Sequence, residues 1–309
     1  MKRAIITGAT GAIGTALINR LIKDGTEVLV FCRPGSERNK DIPSHPLVTR
    51  KDCPLDELCR IENDTGKTYD LFYHLAWEGT AKGARNDIFL QNRNVRYTLD
   101  AVNAAKRFGC HTFIGAGSQA EYGRCSEKLT PRTPAFPESG YGIAKLSAGM
   151  MSAFLARQLG MRHIWVRILS VYGPSDGKAS MIMSVLDKLQ RGESPELTKG
   201  EQLWDYLYSC DAADALALLG DKGCDGKVYV LGSGNALPLR KYVETMRDIA
   251  APETEVKFGA VPYGEKQVMY LCADISDLTR DTGWLPVTDF GDGIRSILRA
   301  NSSDKKQKQ

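Results

Sequence analysis

The fold follows from one stretch near the start of the chain, Thr7-Gly8-Ala9-Thr10-Gly11-Ala12-Ile13-Gly14. An apolar run, Arg3–Thr7, precedes it, and a helical pattern follows in which Ile13, Leu17 and Leu21 recur every four residues. A glycine-rich turn between a buried strand and a helix lets the backbone approach a pyrophosphate, whose charge then lies at the helix N-terminus. The spacing is G-x-x-G-x-x-G, and its strand–turn–helix context predicts a dinucleotide site with contacts from Gly8, Gly11, Ala12, Ile13 and Gly14.

Strand-like and helix-like patterns alternate through the first half of the chain, which is typical of βαβ units with right-handed crossovers. They predict an α/β fold with a doubly wound parallel sheet of the Rossmann type and a smaller mixed α/β region after residue 173. We expect a dinucleotide-binding domain over residues 1–173, to which 207–232 return, a mainly substrate-binding region over 174–300 and a flexible tail over 301–309. The predicted strands are residues 3–7, 28–32, 69–75, 110–115, 163–169 and 228–231, and the later helices are 94–108, 145–159 and 180–190.

Length and composition are those of a globular protein, with 309 residues, of which 42% are hydrophobic and 25% charged. A net charge of +4, from 41 Lys and Arg against 37 Asp and Glu, is too small to predict nucleic-acid binding. No apolar run is long enough to span a membrane. The eight cysteines form no Cys-x-x-Cys pair, and no His lies at metal-ligand spacing. We therefore expect free thiols in a reducing cytoplasm, with no disulfide and no metal site.

The residues after the second predicted strand bear on the choice of cofactor. An NAD site usually carries an acidic residue about 20 residues after the glycine-rich turn, where it binds the ribose 2′-hydroxyl. Here that place holds Phe31-Cys32-Arg33-Pro34-Gly35-Ser36, which has no acid and has a guanidinium suited to a 2′-phosphate. Arg33 and Ser36 therefore favour NADP(H). NAD(H) stays open, because Arg33 could also be an ordinary exposed loop arginine.

A second group of residues indicates acid–base chemistry. Ser118 follows a predicted strand, and Tyr141 and Lys145 come 23 and 27 residues later, at the start of a predicted helix. Residues four apart share a helix face, so the Lys145 charge can lower the pKa of the phenol. With a pKa near 10, the phenol is otherwise a poor acid–base group at neutral pH. Serine, Tyr-x-x-x-Lys and a dinucleotide turn in one chain predict a catalytic triad.

With these motifs in place, nearly the whole chain resembles the extended short-chain dehydrogenases/reductases, often called NAD(P)-dependent epimerases/dehydratases. The resemblance rests on the TGATGAIG turn, on the GSQAEYG segment that contains Ser118, and on the YGIAK segment that contains Tyr141 and Lys145. Further motifs that carry it are Asp52, at the place that follows the third strand in the family, His74-Leu75-Ala76-Trp77, Asn94-Val95, Arg167-Ile168-Leu169-Ser170-Val171-Tyr172-Gly173-Pro174, residues 205–214 and Thr282-Gly283-Trp284-Leu285-Pro286.

The resemblance implies a Ser–Tyr–Lys triad that acts on nucleotide-diphosphate sugars. Tyr141 would exchange a proton with a sugar hydroxyl or ketone, Ser118 would hydrogen-bond the same oxygen, and Lys145 would hold the nicotinamide ribose. We also expect the protein to form a homodimer. The further cofactor contacts that it implies are Asp52 and Cys53 near the adenine, Leu75 and Ala76 along the cofactor, Ile168, and Tyr141 and Lys145 themselves.

Three departures from the family pattern narrow the reaction. Sugar 4,6-dehydratases have Thr-Asp-Glu where this chain has Ser118-Gln119-Ala120, so the acid–base pair that eliminates water is missing. Many epimerases have Asn where Ser170 stands. Many members have Arg, often on a substrate phosphate, where Trp204 precedes Asp205. The substrate-side candidates are Gln119, Ser170, Gln202 and Trp204.

The function predicted from these features is NADPH-dependent reduction of the 4-keto group of a nucleotide-diphosphate deoxyhexose or hexose, in surface-polysaccharide or deoxysugar biosynthesis. The first alternative is a nucleotide-sugar C4-epimerase with the same triad, which usually retains NAD. The second is a non-catalytic NADP-binding regulatory protein, which an intact triad argues against.

Overall fold

The structure of the protein is a computed structural model that describes residues 1–81 and 83–306, with side chains up to residue 302. Its strands are β1 (Arg3–Thr7), β2 (Glu27–Cys32), β3 (Val48–Asp52), β4 (Leu71–His74), β5 (Thr112–Ser118), β6 (Arg162–Ile168), β7 (Ser170–Tyr172), β8 (Glu196–Leu197), β9 (Leu203–Trp204), β10 (Tyr206–Tyr208), β11 (Val228–Leu231), β12 (Leu237–Pro238) and β13 (Lys257–Phe258). Its helices are α1 (Ala12–Lys23), α2 (Ile88–Arg107), α3 (Gly140–Gln158), α4 (Met181–Gln190), α5 (Ser209–Lys222), α6 (Leu239–Ala250), α7 (Ser276–Thr282) and α8 (Phe290–Lys306).

Seven parallel strands form the central sheet, in the spatial order β11-β6-β5-β4-β1-β2-β3. Successive residues of a strand face opposite sides of a sheet. Ala4 and Ile6 of β1 accordingly pack into one core with α1 and α5, whereas Ile5 packs into a second core with α2. Helices therefore cover both faces, and the strand order reverses between β1 and β4. The predicted fold class, a doubly wound parallel sheet, is confirmed, and the reversal is where such sheets bind ligands.

Several element boundaries differ from the sequence-based expectations. Helix α2 begins at Ile88 rather than at residue 94, because the Asp87 side chain caps it by accepting from the backbone N–H groups of Phe89 and Leu90. Helix α3 begins at Gly140, where Ser139 caps it. The apolar runs miss β3, since its sequence VTRKD is mostly exposed on an edge strand. Asp52 is the last residue of this strand rather than a residue after it.

The chain after β6 builds a further core beside the carboxyl ends of the sheet. Helices α4, α6 and α8 surround Tyr172, Val185, Met246 and Ile297, and the short strand pairs β7–β10, β9–β12 and β8–β13 connect them. Within residues 207–232, α5 packs against α1 and β11 pairs with β6. These contacts carry that segment back onto the central sheet.

The last helix continues into the segment for which the sequence predicts a flexible tail. Helix α8 runs to Lys306, so residues 301–306 are helical, while 307–309 lie outside the described residues. Buried Ile294 and Ile297 hold the helix on the protein, and the Ser302 hydroxyl donates to the carbonyl of Leu298 in the preceding turn. A polar segment can extend a helix whose apolar face is anchored. In the described part of the chain, no helix has the length and apolar character that crossing a membrane requires.

Candidate active site

The glycine-rich turn between β1 and α1 forms a tight cradle. Gly8 has a left-handed φ of +77°, and a Cβ there would lie 2.7 Å from the backbone nitrogen of Ala76. A Cβ at Gly14 would collide with the Gly8 carbonyl oxygen and lie 2.8 Å from the Cα of Ala9. A Cβ at Gly11, in contrast, would meet only the Gly8 carbonyl oxygen at 3.8 Å. Gly8 and Gly14 are therefore needed for the turn itself, whereas Gly11 borders open space above the turn.

The N-terminus of α1 is suited to an anion. Its N-cap is Gly11, which offers no side-chain cap, and no acidic residue lies in the first turn that Ala12, Ile13 and Gly14 begin. The first N–H groups of such a helix have no intrahelical partners and carry a partial positive charge. A cleft of ~340 Å³ opens beside them, lined by the turn, by the ends of β2 and β4, and by the chain after β3. The lining residues include Gly8, Gly11, Arg33, Ser36, Cys53, Leu75 and Ala76.

Arg33 follows the last residue of β2 and lines this cleft. It is exposed, and within the described residues its guanidinium makes no hydrogen bond or ion pair; only its carbonyl is used, by the Asn39 side chain. Arg38 is different, because its guanidinium donates to the carbonyls of Thr10 and Ser175, at 2.5 and 2.9 Å. The glycine cradle, the uncapped helix and the free cation together fit a dinucleotide, with Arg33 available to an additional phosphate.

The two residues predicted near the adenine, Asp52 and Cys53, differ in burial and in whether they line the cleft. Cys53 is buried and lines the cleft. Asp52 is exposed, and its carboxylate accepts from the Cys32 thiol at 3.7 Å. Burial, and after it the charge of Asp52, raises the pKa of that thiol. On the other wall, the backbone N–H groups of Leu75 and Ala76 donate to Thr7, and this contact holds the chain after β4 against the glycine-rich turn.

The predicted triad residues come from two neighbouring elements. Ser118 is the last residue of β5, and α3 carries Tyr141 and Lys145 on its first two turns. Lys145 Nζ donates to the carbonyl of Ala116 on β5 at 2.6 Å and lies 5.9 Å from the Tyr141 ring centroid. Burial raises the pKa of the Tyr141 phenol, and the Ser118 hydroxyl interacts with the phenol and opposes that rise. Ile168, another predicted cofactor contact, pairs in register with Ser118 across β5 and β6.

Burial dominates the protonation of this group. It raises the pKa of Tyr141, against the lowering effects of Ser118 and of the Arg85 guanidinium. It lowers the pKa of Lys145 to about 7, while the charge of Glu121 acts in the opposite direction. Both shifts favour the uncharged form of the side chain. Tyr141 is therefore protonated at neutral pH and can act as a proton donor.

Two residues that sequence reasoning did not assign to the triad surround it. Arg85, in a 3₁₀ turn before α2, stacks its guanidinium 4.2 Å from the Tyr141 ring centroid and is the nearer cation to that ring. Trp77 lines the cofactor cleft, packs edge-on against Tyr141, and lies with its face 3.8 Å from Lys145 Nζ. The indole N–H of Trp77 donates to Gln91. Trp77 thus joins the cleft to the triad, and no motif marks Arg85.

The predicted substrate-side residues do not form one cluster. The side-chain oxygen of Gln119 accepts from the Ser118 hydroxyl at 2.7 Å, so Gln119 lies at the triad. Ser170 and Trp204 bind each other through an indole-to-hydroxyl hydrogen bond of 2.8 Å. Gln202 is buried, accepts from the Tyr263 hydroxyl and lines a separate, mainly apolar cavity of ~230 Å³ between α4 and α6. No cluster of metal-ligating side chains occurs among residues 1–81 and 83–302.

These features define a dinucleotide-binding α/β protein whose cleft lies at the switch point of its sheet and whose candidate Ser–Tyr–Lys site lies at the end of β5, beside β4. The chain belongs to the NAD dependent epimerase/dehydratase family, whose profile matches residues 4–232. The resemblance identified from the sequence is thereby confirmed. Members of this family are NAD(P)-dependent enzymes.

Known relatives span nearly the whole chain. CDP-abequose synthase of Salmonella typhimurium is 24% identical over 304 residues, which cover 96% of this chain and 97% of that protein. UDP-N-acetylglucosamine 4-epimerase from Methanobrevibacter ruminantium M1, solved with UDP-N-acetylmuramic acid, superposes with a TM-score of 0.88 at 23% identity, over 98% of this chain and 99% of that chain. RMD from Pseudomonas aeruginosa, complexed with NADPH, gives a TM-score of 0.82 at 22% identity, over 98% of this chain and 100% of that chain.

Proposed function

We propose that this protein is an NADPH-dependent reductase of the 4-keto group of a nucleotide-diphosphate deoxyhexose or hexose. The observation that carries the proposal is the combination of the cleft with the triad beside it. The protonated, buried Tyr141 and Lys145 both contact Trp77, which lines the cleft, and the guanidinium of Arg33, which has no partner among the described residues, lines the same cleft. A reductase consumes a diffusible reductant, and a free cation beyond β2 suits the 2′-phosphate that distinguishes NADPH.

The chain's own groups have defined roles in this reaction. When bound in the cleft, the nicotinamide supplies the hydride that adds to the keto carbon. Tyr141 donates its proton to the keto oxygen, and Ser118 hydrogen-bonds the same oxygen and orients the ketone. Lys145 would bind the nicotinamide ribose, and its charge would stabilise the phenolate that remains on Tyr141. Gly8, Gly11 and the N-terminus of α1 would hold the pyrophosphate.

Epimerisation at C4 is the alternative with the same triad, and the likeness to solved epimerases supports it. An epimerase oxidises and re-reduces its substrate, so its cofactor is not consumed and is usually retained as NAD. Arg33 in place of an acid argues for the reductase. A non-catalytic NADP-binding role is less well supported, because Tyr141 and Lys145 both have environments that shift their pKa values.

The reductase and the epimerase differ in net cofactor turnover. Purified protein is incubated with NADPH and a panel of nucleotide sugars and their 4-keto derivatives, and absorbance at the NADPH band is followed. The reductase consumes NADPH stoichiometrically with one keto-sugar nucleotide. Interconversion of two hydroxy-sugar nucleotides without net NADPH loss would establish the epimerase instead. Tyr141→Phe is expected to abolish turnover while cofactor binding stays near wild type; retention of turnover within about tenfold, ~1.4 kcal/mol, excludes Tyr141 as the acid.

We also propose that the protein is a cytoplasmic homodimer. Helices α2 and α3 pack side by side and expose large apolar side chains on their outer surfaces. Several exposed large apolar side chains on two packed helices are typical of a protein–protein interface. The eight cysteines are all free thiols, which suits a reducing compartment. The exposed side chains are Ile88 and Phe89 on α2, and Ile143, Met150, Met151 and Phe154 on α3.

A further inference from the structure

A buried carboxylate lies directly behind the triad. Glu121, in the 3₁₀ turn Gln119–Glu121, is 0% exposed. Its Oε1 accepts from the backbone N–H of Ser118 at 2.8 Å, and its Oε2 accepts from Arg167 Nε at 2.6 Å. The Trp165 indole N–H donates to Oε1 at 3.0 Å. Both oxygens are thus used by donors of the protein itself, so Glu121 does not replace the acid that dehydratases carry near this place.

Trp165 is the largest member of this cluster and spans the space between β5 and α3. Trp165 pairs in register with Gly115 on β5. Its ring occupies the space that a Cβ of Gly115 or Gly117 would need. On the other side, a Cβ at Gly149 of α3 would lie 2.7 Å from the ring. Gly149 is one turn beyond Lys145 on the same helix face. The indole therefore sets how closely α3 approaches the end of β5.

We propose that Glu121 is a positioning residue of the active site, which acts with Trp165 and Arg167. By accepting the Ser118 N–H, it holds the serine at the end of β5. By accepting the indole N–H of Trp165, it links the end of β5 to the ring against which α3 packs. Its buried charge also faces Lys145. The inference rests on the proposed triad, and it adds a second layer that aligns the serine with the tyrosine and lysine.

The charge of Glu121 acts on Lys145 from within the protein. Burial lowers the pKa of Lys145 to about 7, and Glu121 is the group that opposes this effect. Removal of the carboxylate therefore lowers the pKa further, so Lys145 loses its proton at a lower pH. The other titratable or charged groups around the pair are Tyr141 on α3, His74 at the end of β4, Arg167 on β6, and Arg85 above the Tyr141 ring.

The chain contains a substrate-independent reporter for this titration. Lys145 Nζ lies 3.8 Å from the Trp77 ring, so the emission of Trp77 is expected to change when the ammonium loses its proton. Tryptophan fluorescence is measured as a function of pH without cofactor or substrate. For wild type and for each variant, the emission of the same protein carrying Trp77→Phe is subtracted, which leaves the contribution of Trp77. Lys145→Met should abolish the transition near neutral pH, which assigns it to Lys145.

Glu121→Gln keeps the size of the side chain and removes its charge. We expect its fluorescence midpoint to fall by ~1 pH unit. Glu121→Asp keeps the charge but shortens the reach to Ser118, so its midpoint should stay near that of wild type. Asp211→Asn is the matched control, since Asp211 is also buried, at 2% exposed, and its carboxylate binds Thr288 far along the chain from the triad. It should leave the midpoint unchanged.

A second variant covers the case in which Glu121→Gln does not fold, because an unpaired Arg167 would be costly inside the protein. The double variant Glu121→Gln/Arg167→Met leaves no lone buried charge. It lacks the same carboxylate, and its midpoint should also fall, but by less. Midpoints at the wild-type value in the folded Glu121→Gln or double variant overturn the proposal.

Turnover adds the positioning readout. With an active keto-sugar nucleotide, Glu121→Gln and Glu121→Asp should both lose roughly tenfold or more in kcat, while the Kd for NADPH stays within about threefold of wild type. Equal kcat in wild type and both variants overturns the positioning role. If wild type itself reduces no keto-sugar nucleotide, the proposed reductase activity is rejected, while the fluorescence midpoints still decide the role of Glu121.

Discussion

Replacing Arg33 with Asp should shift the cofactor preference of this protein from NADPH towards NADH. Arg33 lines the cleft, is exposed, and makes no side-chain hydrogen bond or ion pair with the residues that the structure describes. Its replacement therefore breaks no contact of the described protein, and the fold should keep its stability. The new carboxylate repels a 2′-phosphate and offers the ribose 2′-hydroxyl a hydrogen-bond acceptor.

The expected size of the effect follows from the exposure of the site. Hydrogen bonds to charged groups contribute ~1.5–3 kcal/mol, which corresponds to roughly ten- to a hundredfold in affinity. Because Arg33 is exposed, solvent and salt screen its charge, and the lower end of that range applies. NADPH affinity should therefore fall at least ~10-fold, with a smaller change for NADH, and the loss should shrink as the salt concentration is raised.

The assay is a fluorescence titration of both cofactors into wild type and variant at low and high salt. Lys40→Asp is a matched control, because Lys40 is an exposed cation in the nearby 3₁₀ segment Glu37–Asp41 and does not line the cleft. It makes the same change in net charge and should leave the preference between the cofactors unaltered. Equal losses for NADPH and NADH in Arg33→Asp, an equal effect of Lys40→Asp, or a wild type that prefers NADH would refute the reasoning.

Two further predictions concern the glycine-rich turn and the outer helices. Gly14→Ala should strongly destabilise or unfold the protein, since a Cβ at this position collides with the Gly8 carbonyl. Gly11→Ala should keep the Tm near wild type and weaken NADPH binding, because its Cβ enters only the space above the turn. Thermal denaturation measures the difference, and equal Tm values for the two variants would contradict this prediction. Phe154→Lys, on an exposed apolar position of α3, should convert a dimer into a monomer in light scattering after size exclusion, without loss of NADPH affinity. A wild type that is monomeric, or a variant that stays dimeric, argues against an interface on α2 and α3.

The parts of the site that the sequence predicted are those encoded over a few residues. The glycine-rich turn is recognisable because a strand run, three glycines and a helical period follow one another within 21 residues. Tyr141 and Lys145 are recognisable because a spacing of four places two side chains on one helix face. Fold class could be predicted for the same reason, since buried parallel strands are continuous apolar runs. Strand β3 was missed because an exposed edge strand lacks that signal.

Contacts between distant segments depended on the tertiary structure. Arg85 stacks on Tyr141 from a turn 56 residues earlier in the chain, and Glu121 meets Trp165 and Arg167 only because β5 and β6 are neighbours in the sheet. Such pairings have no sequence period, because they depend on which strands lie side by side and on where each side chain points.

The sequence by itself therefore determined the fold class, the family and the residues that are candidates for chemistry. The tertiary structure decided the environment of those residues. It left Arg33 without a partner among the described residues and divided the substrate-side candidates among separate places. It also buried Tyr141 and Lys145, so that both pKa values move towards the neutral forms. The physical reason is that burial and electrostatic interaction are properties of the packed chain, since desolvation depends on every element that covers a group.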